Sequence, residues 1–134
     1  MRLRRVGETE ARGTGALSGG FREFLEEQFA PVGGVTFRAM FGGLGIFRDG
    51  TMFALVADDT LYFRVDDGNQ PDFEAEDSEP FTYQGKGKPM TMAYWRAPER
   101  LFDDADEFAR WANNAIDASQ RVAAAKKKPT GKKR

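Results

Sequence analysis

Apolar side chains change their spacing from helical to alternating and back along the chain, and that switching predicts the elements. Phe21, Phe24, Leu25 and Phe29 stand at offsets 0, 3, 4 and 8, which is the single stripe of an amphipathic helix. Gly33-Gly34 ends it. In Val35–Phe41, Val35, Phe37, Ala39 and Phe41 alternate with Thr36, Arg38 and Met40, the period of two that marks a strand. A short strand, Leu44–Arg48, leads into Asp49-Gly50, a two-residue hairpin signal because both positions readily take positive φ. Thr51–Ala57 is apolar on both faces, with Met52, Ala54 and Val56 on one and Phe53 and Leu55 on the other. Asp58-Asp59 turns the chain into Leu61–Val65, where Leu61, Phe63 and Val65 oppose Tyr62 and Arg64.

The second half repeats the switch. Pro71 near a helix start and Phe73 as an apolar anchor predict a short helix between Asn69 and Ala75. Phe81–Gln84 and Met90–Arg96 form a second hairpin around Gly85-Lys86-Gly87-Lys88-Pro89. Asp104 followed three positions later by Glu107 predicts a capping box. Behind it, Phe108, Trp111, Ala112, Ala115 and Ile116 fill one helix face. Helix, meander, short helix, hairpin, helix predicts a two-layer α+β domain: an antiparallel sheet of five to six strands with helices on one face. Residues 1–20, charged and then Gly-rich, read as a disordered leader. The folded domain is expected over 21–118, and residues 119–134 as a helix extension with a basic disordered tail.

Composition narrows the chemistry. Among 134 residues there is no cysteine and no histidine. Thiol nucleophiles, disulfides, Cys-based metal sites, imidazole metal sites and Ser-His-Asp triads are therefore excluded. The reading is a non-enzyme without cofactor. The net charge of −1 hides a division: residues 126–134 hold six of the 20 basic groups and no acid. The first 125 residues carry 14 basic against 21 acidic groups, an acidic body with a basic tail. No run approaches the roughly 18 apolar residues of a membrane span. The first ten residues lack the apolar stretch of a secretory signal, so a cytoplasmic protein is expected.

Candidate sites separate by what their geometry allows. Gly42, Gly43 and Gly45 match neither a dinucleotide nor a P-loop spacing; between two strands they read as a bulge or a close backbone approach. Adjacent acids, Asp58-Asp59 and Asp103-Asp104, do not converge on one point and read as a turn and a helix start. Lys86 and Lys88, on a glycine-rich tip, are candidates for an anion or nucleic-acid contact. So are Lys126, Lys127, Lys128, Lys132, Lys133 and Arg134, through counterion release, although the tail has no aromatics for stacking. The most informative feature is apolar surplus on the sheet. An uncovered apolar face usually marks an interface, and Met40, Met52, Met90 and Met92 on strands suit adaptable packing. Phe53, Leu55, Tyr62 and Trp95 are the expected contact surface for a homodimer or a protein partner.

The run "RAMFGGLGIFRDGTMFALVADDTLYFRVD", then "SEPFTYQGKGKPMTMAYW", then "DDADEFARWANNAI" resembles the N-terminal domain of the TfoX/Sxy family over residues 21–118. The resemblance rests on Met-Phe-Gly-Gly at 40–43, Phe-Ala-Leu-Val-Ala at 53–57, and Phe-Thr-Tyr with Gly-Lys-Gly-Lys at 81–88. It implies a bacterial α+β domain not known as an enzyme. In longer relatives this domain belongs to a regulator of natural competence that works with the catabolite activator protein at competence promoters. Those relatives carry a second, C-terminal domain; only 18 residues follow Ile116 here, so a stand-alone domain is expected. The function expected from residues and resemblance together is regulation by homodimer or partner binding. The alternative is weak, non-specific nucleic-acid association through the Lys-rich tail.

Overall fold

The computed structural model describes residues 19–40, 43–84 and 87–127. Its elements, in chain order, are α1 (Gly19–Phe29), β1 (Val35–Met40), β2 (Gly43–Arg48), β3 (Thr51–Ala57), β4 (Thr60–Arg64), α2 (Gln70–Ala75), β5 (Pro80–Gln84), β6 (Pro89–Arg96), a 3-10 turn (Glu99–Asp103) and α3 (Ala105–Lys127). The six strands form one antiparallel sheet in the order β1-β2-β3-β4-β6-β5. The meander pairs neighbours, and the second hairpin adds to the free edge of β4 through β6.

Both tight turns of the meander follow from their residues. Asp49 and Gly50 have φ of 54° and 80°, and Asp58 and Asp59 have 53° and 54°, the left-handed pair that matches strand twist in a two-residue hairpin. Gly43 answers to a different demand. A side-chain carbon there would collide with the Val56 carbonyl oxygen, so β2 reaches β3 this closely only with glycine. The Phe41-Gly42 half of the corner lies outside the described residues.

Phe29 is the hub of the core. Its ring lies 4.9 Å from Phe108 of α3, 5.7 Å from Phe53, 6.0 Å from Phe37 and 6.3 Å from Phe63. These edge-on contacts join α1, α3 and three strands in one apolar layer, each buried ring contributing about 2–3 kcal/mol. The predicted helical stripe on α3 is the buried one: Phe108, Trp111, Ala112, Ala115 and Ile116. The stripe on α1 is buried at Leu25 and Phe29, while Phe24 is exposed and lies 5.3 Å from Phe102.

Strict alternation fails in β3. Ile46 pairs with Ala54 and Phe47 with Met52, leaving Phe53 as an extra residue. At such a bulge a side chain is re-aimed, and here consecutive Phe53 and Ala54 both enter the helix-side core. Met52, paired with Phe47, and Leu55, paired with Tyr62, keep the opposite face.

The capping box is half made. The Glu107 amide donates to Asp104 Oδ1 at 3.0 Å, but the Glu107 carboxylate does not return to the Asp104 amide. That amide donates to the Leu101 carbonyl of the 3-10 turn at 3.2 Å. Glu107 instead accepts from Arg100 Nη1 at 2.6 Å and from Trp111 Nε1 at 3.2 Å.

Candidate functional site

Cross-strand pairing sorts the sheet into two faces. The helix-side face carries Phe37, Leu44, Ile46, Phe53, Val56, Leu61, Phe63 and Trp95. The other carries Arg38, Gly45, Phe47, Leu55, Tyr62, Arg64, Tyr94, Arg96 and, beside Tyr62, Phe81 and Tyr83. No helix among the described residues covers this second face. Its own long side chains cover it in part. Leu55 is 8% exposed and Tyr94 3%, while Met40, Phe47, Met52, Tyr62 and Phe81 are half-buried. A side-chain carbon at Gly45 would meet the sulfurs of Met40 and Met52 and the ring of Phe47, so that glycine lets all three close over the sheet.

The expected contact residues do not share a face. Leu55 and Tyr62 are cross-strand partners on the open face. Phe53 is fully buried against Phe29, moved there by the bulge. Trp95 pairs with Phe63 and lies 6.5 Å from Phe73, half-buried on the helix side. β3 is apolar on both faces, as expected, but Phe53 lies on the helix side and Met52 on the open one. Lys88 is exposed at the β5–β6 tip and Lys126 is exposed near the end of α3. Lys127 is the last residue of α3. Lys86, Lys128, Lys132, Lys133 and Arg134 lie outside the described residues.

Charge divides the two layers. The six strands contain four arginines and no aspartate or glutamate. Of the eight described arginines, Arg22, Arg48, Arg100, Arg110 and Arg121 each lie within ion-pair distance of a carboxylate. Among the described residues, Arg38, Arg64 and Arg96 have no such partner, and all three occupy the open face. Two of them rest on rings: Arg38 over Phe47 at 4.9 Å and Arg64 over Tyr94 at 5.4 Å, geometry that suits a weakly hydrated guanidinium. The Nε of Arg64 is buried without a hydrogen-bond partner among the described residues.

At the junction of β4 and β6 these residues form a checkerboard. Tyr62 stands opposite Arg96, and Arg64 opposite Tyr94, so two guanidiniums and two phenols alternate on diagonals, directly opposite side chains about 5 Å apart. Tyr94 Oη donates to the Met52 carbonyl at 3.4 Å. Burial raises the Tyr94 hydroxyl's pKa against the pull of Arg64. Burial likewise raises that of Tyr62, opposed by Arg96 and reinforced by Glu79 and Asp58 at the rim. Both phenols stay neutral donors at neutral pH. Toward the β5 edge, Phe81 lies 4.9 Å from Tyr62 and stacks on Tyr83 at 6.1 Å with planes 17° apart. Tyr83 is 45% and Met90 40% exposed.

Other features offer less. A recess between α1 and β1, lined by Glu26, Phe29, Gly33, Gly34 and Phe37, encloses about 110 Å³, well below the roughly 300 Å³ at which small-molecule sites begin. Among the described residues, no three His, Cys, Asp or Glu could hold a metal. No described helix is long and apolar enough to cross a membrane.

Fold and face together define an α+β domain with one helix-covered and one open, arginine-bearing sheet face. The sequence profile of the TfoX N-terminal domain matches residues 27–119, and the chain belongs to that family. It is 28% identical over 94 residues to Protein Sxy of Escherichia coli K12, covering 70% of this chain and 45% of that protein. It is 36% identical over 83 residues to DNA transformation protein TfoX1 of Aliivibrio fischeri ES114, covering 59% of this chain and 39% of that one. The chain thus spans less than half the length of either relative.

Proposed function

We propose that this chain is a non-enzymatic regulatory domain of the TfoX type that acts by docking a partner on the open face of its sheet. The observation that carries this reading is the set of three arginines, Arg38, Arg64 and Arg96, which have no carboxylate partner among the described residues and lie among half-buried aromatic and methionine side chains. Elsewhere on the described surface the guanidiniums are paired. The name of the Aliivibrio relative, a DNA transformation protein, makes DNA uptake the process to examine first. A second copy of the chain fits this face poorly, since two such faces opposed would bring guanidiniums together with no strand carboxylate between them.

Transcript profiles of the host carrying charge-reversed proteins test the regulatory role. Arg64→Glu with Arg96→Glu is expected to abolish the transcript changes caused by the native chain. Glu23→Lys with Glu27→Lys, on the exposed side of α1, is expected to preserve them. Native-like profiles from both proteins would contradict the reading.

A further inference from the structure

We infer that the open face is a binding site for a single strand of nucleic acid, with arginines on its phosphates and aromatic rings under its bases. This inference rests on the docking role proposed above and names the partner's chemistry. It is distinct from attraction to the basic tail, because every group it uses lies on the sheet.

Three observations lead to it. The first is the charge inventory: strands with four arginines and no acid, in a chain whose first 125 residues carry more acid than base. The acids sit on helices and turns, a layer away from the open face or at its rim. The second is spacing. Arg38 on β1 and the checkerboard arginines on β4 and β6 are separated by three strand intervals or more, roughly 14 Å at about 4.8 Å each. They form a track across the strands, and each planar fork suits a phosphate. The third is the aromatic edge. Tyr62, Phe81 and Tyr83 adjoin one another beside Arg96, and Tyr83 is the most exposed of the large hydrophobic side chains among the described residues.

These observations discriminate between anionic partners. An acidic peptide would satisfy the guanidiniums but leave Phe81 and Tyr83 without flat partners. A duplex hides its base faces, so it would use the arginines alone. A single strand answers both, since every base has a π-face and its backbone carries one charge per nucleotide. The net acidity of the body slows the approach of any polyanion, which predicts moderate affinity rather than tight non-specific binding.

The test is fluorescence anisotropy on the full chain, titrated into labelled 12-nucleotide oligo-dT, 12-nucleotide oligo-rU and a 12-residue poly-glutamate peptide at several salt concentrations. Oligo-dT against oligo-rU separates DNA from RNA. The expected result is binding of at least one oligonucleotide and weaker binding of the peptide. Arg38→Gln/Arg64→Gln/Arg96→Gln should lower the log–log salt slope by about 2, from roughly 0.7 per phosphate neutralised on a single strand. Phe81→Ala/Tyr83→Ala, at the exposed edge, should weaken binding about tenfold or more. It keeps the inference testable if the arginine variant folds poorly. Replacing Lys126, Lys127, Lys128, Lys132 and Lys133 by Gln should have the smaller effect. Binding unchanged in both face variants, or lost only with the tail lysines, would overturn the inference. Preference for the glutamate peptide would overturn it too, while leaving the docking role intact. Failure to bind any of the three probes would likewise refute it; the docking role is judged separately, by the transcript profiles.

Discussion

Arg121, near the end of α3, grips the carboxylate of Asp66 with both prongs of its guanidinium, Nε to Oδ2 at 2.6 Å and Nη2 to Oδ1 at 2.7 Å. The pair fastens the β4–α2 loop to a helix 55 residues away in sequence. The loop is further ordered by Asn69, whose buried side chain accepts from the Asp66 amide and donates to the Arg64 carbonyl. One end of the checkerboard strand is thereby fixed to the helical layer.

That contact gives stability a pH dependence. The Arg121 hydrogen bond holds the Asp66 pKa below its ordinary value, and Arg100 does the same for Glu76 and Glu107. Lowered folded-state values mean stabilisation that is present above the unfolded pKa of about 4 and lost as pH falls through the folded value. Urea denaturation should show native stability declining as pH drops below about 5. Asp66→Asn should be less stable by on the order of 1 kcal/mol at pH 7 and converge with the native protein in acid. A constant difference at every pH would count against the assignment.

The bulge in β3 predicts unequal costs for two aromatic truncations. Phe53→Ala empties a fully buried site against Phe29 and should cost about 3–5 kcal/mol. Tyr62→Ala removes a half-buried ring and its contact with Phe81 and should cost about 1 kcal/mol. Similar midpoints for the two in chemical denaturation would show that Phe53 does not face the core.

Two glycines should respond differently to alanine. Gly50→Ala meets open space but a φ of 80°, a strain of about 1 kcal/mol. Gly43→Ala drives a methyl into a backbone carbonyl, which no side-chain rotation relieves, and should cost at least about 2 kcal/mol. Thermal melts that rank Gly50→Ala as the worse would contradict the close approach of β2 to β3.

The elements were legible because their signals are local: helical offsets in α1 and α3, alternation in β1 and β4, Asp49-Gly50 at a turn. What escaped depended on pairing. No property of Phe53 itself marks a bulge; the register against Ile46 and Phe47 places it. Trp95 lies on the helix side because β6 pairs with β4, not because of its neighbours in sequence. Glu107 left the capping box because Arg100 and Trp111 offer its carboxylate partners that are set by the 3-10 turn. Of the site, Leu55 and Tyr62 were readable. Arg38, Arg64 and Arg96 were not singled out, although strands without a single acid were already a visible signal.

The central claim is that the chain works through the open face of its sheet. Photo-crosslinking in living cells, with a photoreactive residue replacing Tyr62 in one protein and Glu27 of α1 in another, tests it most directly. The account predicts a discrete covalent adduct from position 62 and none from position 27. Identical capture from both positions, or capture from position 27 alone, would contradict it.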